Sequence, residues 1–309
     1  MDLVQATVLG LVQGLTEFLP VSSTAHLRLV PELFGWPDPG AAYSAVIQLG
    51  TTAAVILYFR ADLARVAGAW LRGLRDRAPL STPDARLGWG VLLGTVPVGV
   101  FGLLLKDFIK SEFRSLYVIA ASLVLLALVL WWVERRASHA RTVQEMTLKD
   151  ALWVGGFQAL ALVPGASRSG TTLTGALLCG FRREDAARFS FLLSIPATTL
   201  AGLFELRGLL RASERPQAAA LVVGTAVAFA SGWAAIEGLL RLFRTRGAGV
   251  FIVYRVLLGG LLFALLGMGV LKPGAGQENV APVRLGTPGA PREVPKAVPA
   301  VVTPPEGGR

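Results

Sequence analysis

Six long apolar segments constrain what this chain can fold into more than any other feature. Each is close to the ~20 residues that a helix needs to cross the hydrocarbon of a bilayer, and they lie near residues 41–59, 88–105, 116–133, 189–206, 218–240 and 250–271. The composition agrees, since 53% of the residues are apolar and only 16% are charged. We therefore expect an all-α integral membrane protein.

Two further apolar stretches, 3–19 and 150–163, are each cut short by a proline and followed by residues rich in hydroxyl groups and glycine. Proline interrupts a helix and leaves backbone groups without partners. At membrane depth this is tolerated only where the backbone is buried in protein or lines a wet cavity. The sequence therefore predicts that 3–35 and 150–181 form re-entrant helix pairs and not full spans.

Basic residues between the apolar segments predict the orientation. They are concentrated in the linker 60–86 and in segments 134–149, 182–188 and 241–246. The positive-inside rule places these four segments on the cytoplasmic side, which leaves outside the N-terminus, 106–115, 207–217 and the C-terminus. Topology and anionic lipid thus account for the net charge of +10, and nucleic-acid binding is not expected.

The two halves of the chain are similar to one another. Each half holds one re-entrant pair and three spans, an odd number, so two such halves must have opposite orientations. Three residue pairs share one offset along the chain: Ala6/Ala151, Gly10/Gly155 and Gln13/Gln158. We expect an inverted-topology repeat with a ligand site between the broken helices.

One membrane domain accounts for nearly all of the chain. It is predicted to cover 1–271, with the first repeat at about 1–133 and the second at about 147–271. The remaining segment, 272–309, is rich in proline and glycine and has neither a helical nor a strand period. We expect this tail to be disordered and to lie outside the membrane.

The first broken segment carries ionisable and hydroxylic residues that are costly inside a membrane and therefore suggest function. Ser22 and Ser23 precede His26 by four and three residues, so either hydroxyl could reach the imidazole as a nucleophile reaches its base. Glu17 could hold a divalent cation, with Gln13 as an amide partner four residues earlier. Glu17 could instead orient or deprotonate His26.

The second broken segment reads Pro-Gly-Ala-Ser-Arg-Ser-Gly-Thr-Thr over residues 164–172. Its glycines let backbone N–H groups approach an anion, its hydroxyls donate hydrogen bonds, and Arg168 offers a planar fork that matches phosphate oxygens. A buried arginine near the midplane needs an anionic partner. The segment is typical of a phosphate or diphosphate site; the alternative is an ion pair between Arg168 and Glu17 that only stabilises the fold.

Other polar residues have simpler interpretations. Gln48 interrupts a span and either lines the site or only packs. Glu237 and Arg255 also interrupt apolar segments, and Arg255, near a helix start, is interpreted as a snorkelling residue. His139 lies in a charged loop and is expected at the solvated surface, whereas Cys179 is expected to pack. No His/Cys/Asp cluster has the spacing of zinc ligands.

Together these motifs resemble those of the undecaprenyl-diphosphate phosphatase family, also called the bacitracin-resistance protein family. The family is marked by Glu/Gln-x-x-x-Glu leading into Pro-Val-Ser-Ser-Thr-x-His, and by Pro-Gly-x-Ser-Arg-Ser-Gly-x-Thr. Here the motifs stand as Gln13-x-x-x-Glu17, Pro20 to His26 and Pro164 to Thr172. The match covers roughly residues 1–271. Position 13 is Gln where many members have Glu, and position 25 is Ala where Gly is common.

The resemblance implies a multi-pass phosphatase of the bacterial plasma (inner) membrane. It would remove the terminal phosphate of undecaprenyl diphosphate, recycle the lipid carrier for peptidoglycan synthesis and confer bacitracin resistance, with Mg²⁺ or Ca²⁺ as cofactor. Its site would open to the periplasmic side; a homodimer is left open. The catalytic residues would be Glu17, Ser23, His26 and Arg168, and the metal ligands Gln13 and Glu17. Residues assigned to substrate binding are Ser22, Thr24, Gln48, Ser167, Ser169, Gly170 and Thr172.

A transporter or flippase of a polyprenyl phosphate lipid is the alternative from another class. Inverted repeats with broken helices and a midplane anion site also suit transport. The Ser/His/Glu set favours an enzyme, because transport needs only binding. The other family of lipid phosphatases is not favoured, since its Lys…Arg-Pro and Pro-Ser-Gly-His motifs are absent from the sequence.

Overall fold

The computed structural model describes residues 1–105, 115–211 and 218–274, and its regular structure is helical apart from one isolated bridge between Arg141 and Phe181. The predicted outside loops 106–115 and 207–217 lie mostly outside the described residues. The same holds for nearly all of the tail 272–309, which was expected to be disordered. The helices are α1 Leu3–Phe18, α2 Ser23–Phe34, α3 Gly40–Tyr58, α4 Arg60–Arg75, α5 Pro83–Leu104, α6 Leu116–Arg136, α7 Leu148–Ala159, α8 Arg168–Leu178, α9 Arg183–Arg211, α10 Ala218–Thr245 and α11 Gly249–Gly267.

Five of these helices are long and apolar enough to cross a membrane: α5, α6, α9, α10 and α11. The sixth predicted span is α3, which meets the same criterion only together with α4, from which it is bent by 74°. Each of the six predicted spans therefore coincides with a helix that meets this criterion of length and hydropathy, either alone or, for α3, together with α4. The prediction of an all-helical, multi-pass membrane protein is confirmed.

The linker prediction is wrong for the first part of 60–86, because Arg60–Arg75 forms α4. Apolar and small residues recur there every three or four positions, and Val66, Ala69 and Gly73 are buried along one face. The arginines occupy the other face. This amphipathic pattern explains why the segment is helical although it is too polar to span a membrane alone.

The two broken segments fold alike at their breaks. α1 ends at Phe18 and α2 begins at Ser23, after a turn that contains Pro20. Ser22 caps α2 by accepting from the N–H of Ala25, and it has a positive φ of 75°. Ser167 caps α8 by accepting from the N–H of Gly170, and its φ is 67°. The serine side chain satisfies an N–H at each new helix start.

Glycines bring the broken segments close to their neighbours. A Cβ on Gly10 of α1 would lie 2.5 Å from the carbonyl oxygen of Gly224 in α10. A Cβ on Gly155 of α7 would lie 2.2 Å from the carbonyl oxygen of Gly94 in α5. Only glycine permits such an approach of two backbones. Both breaks are thereby held against long apolar helices.

Direct hydrogen bonds join the two breaks. The N–H of Gly165 donates to Oγ1 of Thr24 at 3.3 Å, and the Ser169 hydroxyl donates to the carbonyl oxygen of Leu19 at 3.0 Å. The two motifs, about half the chain apart in sequence, therefore meet in one region of the fold.

Candidate active site

Glu17 is the shared acceptor at which the two motifs meet. It is 5% exposed, and its carboxylate accepts four hydrogen bonds. Oε2 accepts from Gln13 Nε2 at 3.0 Å and from Ser23 Oγ at 2.8 Å, while Oε1 accepts from Gln48 Nε2 at 2.7 Å and from Arg168 Nη2 at 3.1 Å. Hydrogen bonds to a charged acceptor are among the stronger ones in proteins.

The local fold explains how these donors reach one carboxylate. Gln13 and Glu17 are four residues apart on α1, so they share a face. The turn after Phe18 reverses the chain and returns Ser23, the first residue of α2, to the end of α1. Gln48 approaches from the middle of α3.

Arg168 is the first residue of α8 and pairs with Glu17 in a largely buried ion pair. The two side chains are 13% and 4% exposed, respectively. Nη1 of Arg168 also donates to the carbonyl oxygen of Ser190 at 3.3 Å. Its Nε is buried and has no hydrogen-bond partner in the part of the chain that the structure describes. The guanidinium thus retains a donor beyond those that its protein partners use.

A cavity of about 420 Å³ adjoins this cluster, a volume within the range of small-ligand sites. Five predicted site residues line it: Gln13, Glu17, Ser23, Thr24 and Gln48. The ion pair between Arg28 and Asp38, at 2.5 Å, lies at its wall together with Glu205. Apolar side chains complete the lining, among them Leu27, Ile119 and Leu162. A cavity lined by both polar or charged and apolar side chains suits a ligand that has a charged head group and an apolar chain.

The remaining hydroxyls that were assigned to substrate binding hold the turns. Ser22 and Ser167 are helix caps, and the N–H of Gly170 donates to the Ser167 hydroxyl. The Thr172 hydroxyl donates to the carbonyl oxygen of Arg168 at 2.7 Å and contacts the Ser190 hydroxyl at 2.5 Å. None of these side chains is among those that line the cavity described above. Their roles in substrate binding stay predictions.

His26 makes contacts other than the expected one with a serine hydroxyl. Its Nδ1 lies 2.7 Å from the carbonyl oxygen of Ser22, so Nδ1 carries the proton and donates. The Tyr254 hydroxyl lies 2.5 Å from Nε2. The Ser23 hydroxyl donates to Glu17 and not to the imidazole. A catalytic role for His26 stays a prediction.

Arg255 is not a snorkelling residue. It is 0% exposed, and its Nη2 lies 3.0, 3.4 and 3.3 Å from the carbonyl oxygens of Ala166, Gly165 and Ser122. The side chain reaches inward because the break before α8 leaves carbonyl groups without helical partners. The sequence showed Arg255 as a charged residue within an apolar segment, but it did not show in which direction the side chain points. Tyr254 gave no such signal.

His139 is not at the solvated surface but half-buried at the end of α6. Its Nε2 lies 3.1 Å from the carbonyl oxygen of Glu134 and 3.2 Å from the Arg183 guanidinium. The loop turns back at His139, where φ is 49°. His139 and its partners contribute no residue to the cavity.

The potential metal ligands are oxygen donors. Within the described ranges, no group of three or more His, Cys, Asp and Glu residues could hold a metal ion. Around Glu17, one carboxylate and the Ser23 hydroxyl offer oxygen, whereas Gln13 and Gln48 turn their Nε2 donors toward the carboxylate. Oxygen ligands of this kind suit a hard cation and not zinc.

Fold and site together define a multi-pass helical membrane protein in which two helix-breaking motifs share one buried carboxylate–guanidinium pair. The chain belongs to the bacitracin resistance protein BacA family, which matches residues 6–261. The resemblance found in the motifs is therefore confirmed.

Curated relatives match along nearly their full length. The undecaprenyl-diphosphatase of Myxococcus xanthus (strain DK1622) is 66% identical over 291 residues, which cover 94% of this chain and 97% of the relative. Undecaprenyl-diphosphatase 2 of Frankia casuarinae is 47% identical over 288 residues, covering 89% and 99%. The undecaprenyl-diphosphatase of Chloroherpeton thalassium is 48% identical over 282 residues, covering 88% and 99%.

Proposed function

We propose that this protein is an undecaprenyl-diphosphatase. It hydrolyses undecaprenyl diphosphate to undecaprenyl phosphate and inorganic phosphate, which returns the lipid carrier to cell-wall synthesis and confers bacitracin resistance. Family membership and the extensive match to enzymes of that name support the activity. The observation that carries the proposal is the convergence of both motifs on Glu17, beside a cavity lined by polar and apolar side chains.

An inverted repeat with re-entrant pairs is part of the proposal. Gly10 and Gly155 occupy equivalent places in the two halves, and each packs against a glycine of the opposite half, Gly224 and Gly94. This exchange of partners is the pattern that a pseudo-two-fold axis produces. The equivalent caps and positive φ angles at the two breaks give further support.

The site opens to the periplasmic side of the plasma membrane. Asp38 and Gly40, at the start of α3, line the cavity, as does Glu205 near the end of α9. The positive-inside rule places both of these helix ends outside. A diphosphate head group can then enter from the outer leaflet while its isoprenoid chain stays in lipid.

Ser23 is the nucleophile in this mechanism and Glu17 its base. The Oγ–H of Ser23 already donates to Glu17 at 2.8 Å, within the reach that proton transfer needs. Oγ forms a bond to the terminal phosphorus, Glu17 takes the proton, and the bond from that phosphorus to the bridging oxygen breaks. Undecaprenyl phosphate leaves, and water then hydrolyses the phosphoserine. His26 stabilises the Ser22–Thr24 turn through its contact with the Ser22 carbonyl.

Arg168 and the first turn of α8 stabilise the transferring phosphoryl group. Its charge is spread over three oxygens, so catalysis depends mainly on positioned positive charge. Arg168 has an unused buried donor at Nε, and the helix start provides N–H groups without helical partners. Arg168 and the first turn of α8 are not among the residues that line the cavity, so in this proposal the guanidinium turns toward the phosphate from its contacts with Glu17 and Ser190.

A divalent cation, Mg²⁺ or Ca²⁺, belongs to the same proposal. Glu17 supplies a carboxylate, and Gln13 and Gln48 would supply amide oxygens once they turn these toward the ion in place of the Nε2 donors that face Glu17 in the structure. Mg²⁺ commonly combines one or two carboxylates with substrate phosphates. A bound cation would neutralise phosphate charge as a Lewis acid.

Phosphate release by the purified full chain in detergent tests the activity. We expect release from undecaprenyl diphosphate with Mg²⁺ or Ca²⁺ and none with chelator. Glu17→Gln should lower the rate by about 10³-fold, since it removes the base. Glu134→Gln is the matched control, because Glu134 also pairs with an arginine, Arg183, at 2.5 Å, but away from the cavity. Equal losses in the two variants would contradict the assigned site.

The nucleophile is tested separately by acid quenching during turnover, followed by mass spectrometry of the peptide that contains Ser23. We expect a phosphoserine at Ser23, and a loss of activity in Ser23→Ala that is greater than in Ser22→Ala. Full activity in Ser23→Ala without a phosphoserine would assign the attack to water.

A lipid transporter remains the second candidate, because the two breaks have similar geometry and lie in opposite halves of the chain. Phosphate release in detergent needs no membrane gradient and therefore separates the two functions. Binding of undecaprenyl diphosphate without any phosphate release would favour transport.

A further inference from the structure

Arg255 of α11 is a fully buried cation that has no counter-ion among the residues that the structure describes. Its only hydrogen-bond partners in the described chain are three backbone carbonyl oxygens, all bound through Nη2. Nε and Nη1 are buried without a partner. Burying a charge is costly unless it is paired or fully hydrogen-bonded. Such a residue is expected where its charge or its donors serve the site.

The carbonyl groups that Arg255 binds belong to the turn before α8. Two of the three are those of Gly165 and Ala166, immediately before the cap Ser167. In a trans peptide the C=O and the following N–H point in opposite directions. Because the Ala166 carbonyl faces Arg255, the N–H of Ser167 points away from it. The guanidinium therefore fixes the direction in which this turn presents its donors.

Gly170 shows how tightly the guanidinium fits beneath the helix start. A Cβ at this position would lie 2.8 Å from Nη1 of Arg255 and 3.2 Å from Ser167 Oγ. The glycine thus provides the space in which the cation approaches the first turn of α8. The same turn begins with Arg168, the partner of Glu17.

We infer that Arg255 is a positioning residue: it locks the Gly165–Ser167 turn so that Arg168 and the start of α8 bind the diphosphate, and its own charge favours an anion there. The inference rests on the proposed function for the identity of the substrate. It assigns to Arg255 a role that acts through the turn, without contact with the reacting atoms.

Binding and turnover by the full chain in detergent test this role. The probe is methylenediphosphonate, a diphosphate that cannot be hydrolysed at its bridge, titrated by calorimetry; kcat and KM are measured with undecaprenyl diphosphate. Arg255→Met removes the charge and the donors, and Arg255→Lys keeps only the charge. Arg141→Met is the matched control, because Arg141 donates to the carbonyl oxygen of Cys179 at 2.7 Å, just after the opposite end of α8.

We expect Arg255→Met to weaken methylenediphosphonate binding and to lower kcat/KM by about tenfold or more, the effect of losing one hydrogen-bonded charge. Arg255→Lys should retain more of the binding while kcat still falls, because an ammonium cannot reproduce the fork. Arg141→Met should lower the unfolding temperature without changing binding. A loss of stability alone would not make Arg255→Lys retain binding while its kcat falls.

Three results would overturn the inference. These are normal binding and kcat in Arg255→Met, an equal loss of binding in Arg141→Met, and, if Arg255→Met does not fold, a wild-type kcat in Arg255→Lys. Wild-type protein that binds methylenediphosphonate but releases no phosphate would contradict the proposed function instead. The binding measurements on the variants would then decide the role of Arg255.

Discussion

The Tyr254 hydroxyl lies 2.5 Å from Nε2 of His26, and the two rings stack with their centroids 5.6 Å apart. Because Nδ1 of the imidazole donates to Ser22, both ring nitrogens have partners. The motif histidine is therefore bound at both ends, to its own turn and to α11, and it supports the turn that carries Ser23.

Tyr254→Phe should preserve most of the activity. The variant removes one hydrogen bond while keeping the stacked ring, so we expect a loss of about 1 kcal/mol in the free energy of unfolding and a rate close to wild type. Phosphate release and thermal unfolding in detergent measure the two effects. A loss of activity as large as that of Ser23→Ala would instead assign the Tyr254–His26 pair to the chemistry.

Gln48→Leu should lower activity without unfolding the protein. It removes the 2.7 Å hydrogen bond to Glu17 Oε1, and hydrogen bonds to charged groups contribute about 1.5–3 kcal/mol. We expect kcat/KM to fall by about tenfold. Steady-state phosphate release checks this, and an unchanged kcat/KM would show that the other three donors suffice.

Gln158→Leu should stabilise the protein. Gln158 is buried in α7, and neither atom of its amide group has a hydrogen-bond partner in the described residues. Replacing an unsatisfied buried amide by an apolar group of similar size should raise the free energy of unfolding by about 1 kcal/mol. Thermal unfolding in detergent measures the change. Gln13→Leu is the informative comparison, since the equivalent amide in the first half donates to Glu17. A destabilised Gln158→Leu would contradict the prediction.

Gly155→Ala should disrupt the contact between α7 and α5. The added methyl group would overlap the Gly94 carbonyl, and such overpacking costs about 1–3 kcal/mol. Gly156→Ala is the adjacent control, because a Cβ there meets no atom within 4 Å; it should be neutral or slightly stabilising. Unfolding temperatures of the two variants provide the test, and equal values would argue against the close contact.

Ser167→Gly should be more stable than Ser167→Ala. Both variants lose the side-chain cap on Gly170, but only alanine keeps a Cβ at a φ of 67°. Relief of that strain should separate the two by about 1 kcal/mol in the free energy of unfolding. Calorimetric unfolding measures the difference, and the reverse order would indicate that the strain at Ser167 is negligible.

The spans and both helix breaks could be predicted from the sequence, because the thickness and the apolar interior of a bilayer restrict which segments can cross it. A crossing helix must be predominantly apolar over about 20 residues, so segments such as 218–240 are recognisable by length and hydropathy. The pairing of Glu17 with Arg168 could also be anticipated from the sequence, because ionisable residues in apolar surroundings require partners.

The sequence did not reveal α4 or the partners of His26. α4 is amphipathic and carries enough arginine to look like a linker, and only its buried face distinguishes the two. The contact between His26 and Tyr254 joins residues 228 positions apart, and no local pattern encodes such a pairing. Arg255 could be recognised as a charged residue in an apolar segment. Its inward direction depends on the carbonyl groups of the turn before α8, which the sequence does not display.

Tyr254 and Arg255 are consecutive residues, yet one holds the first motif and the other the second. α11 is the last helix of the described chain, so during synthesis both motif turns are made long before the residues that secure them. A nascent chain that has inserted α1 to α10 therefore lacks the finished site. With the role inferred for Arg255, activity begins only once α11 has entered the membrane.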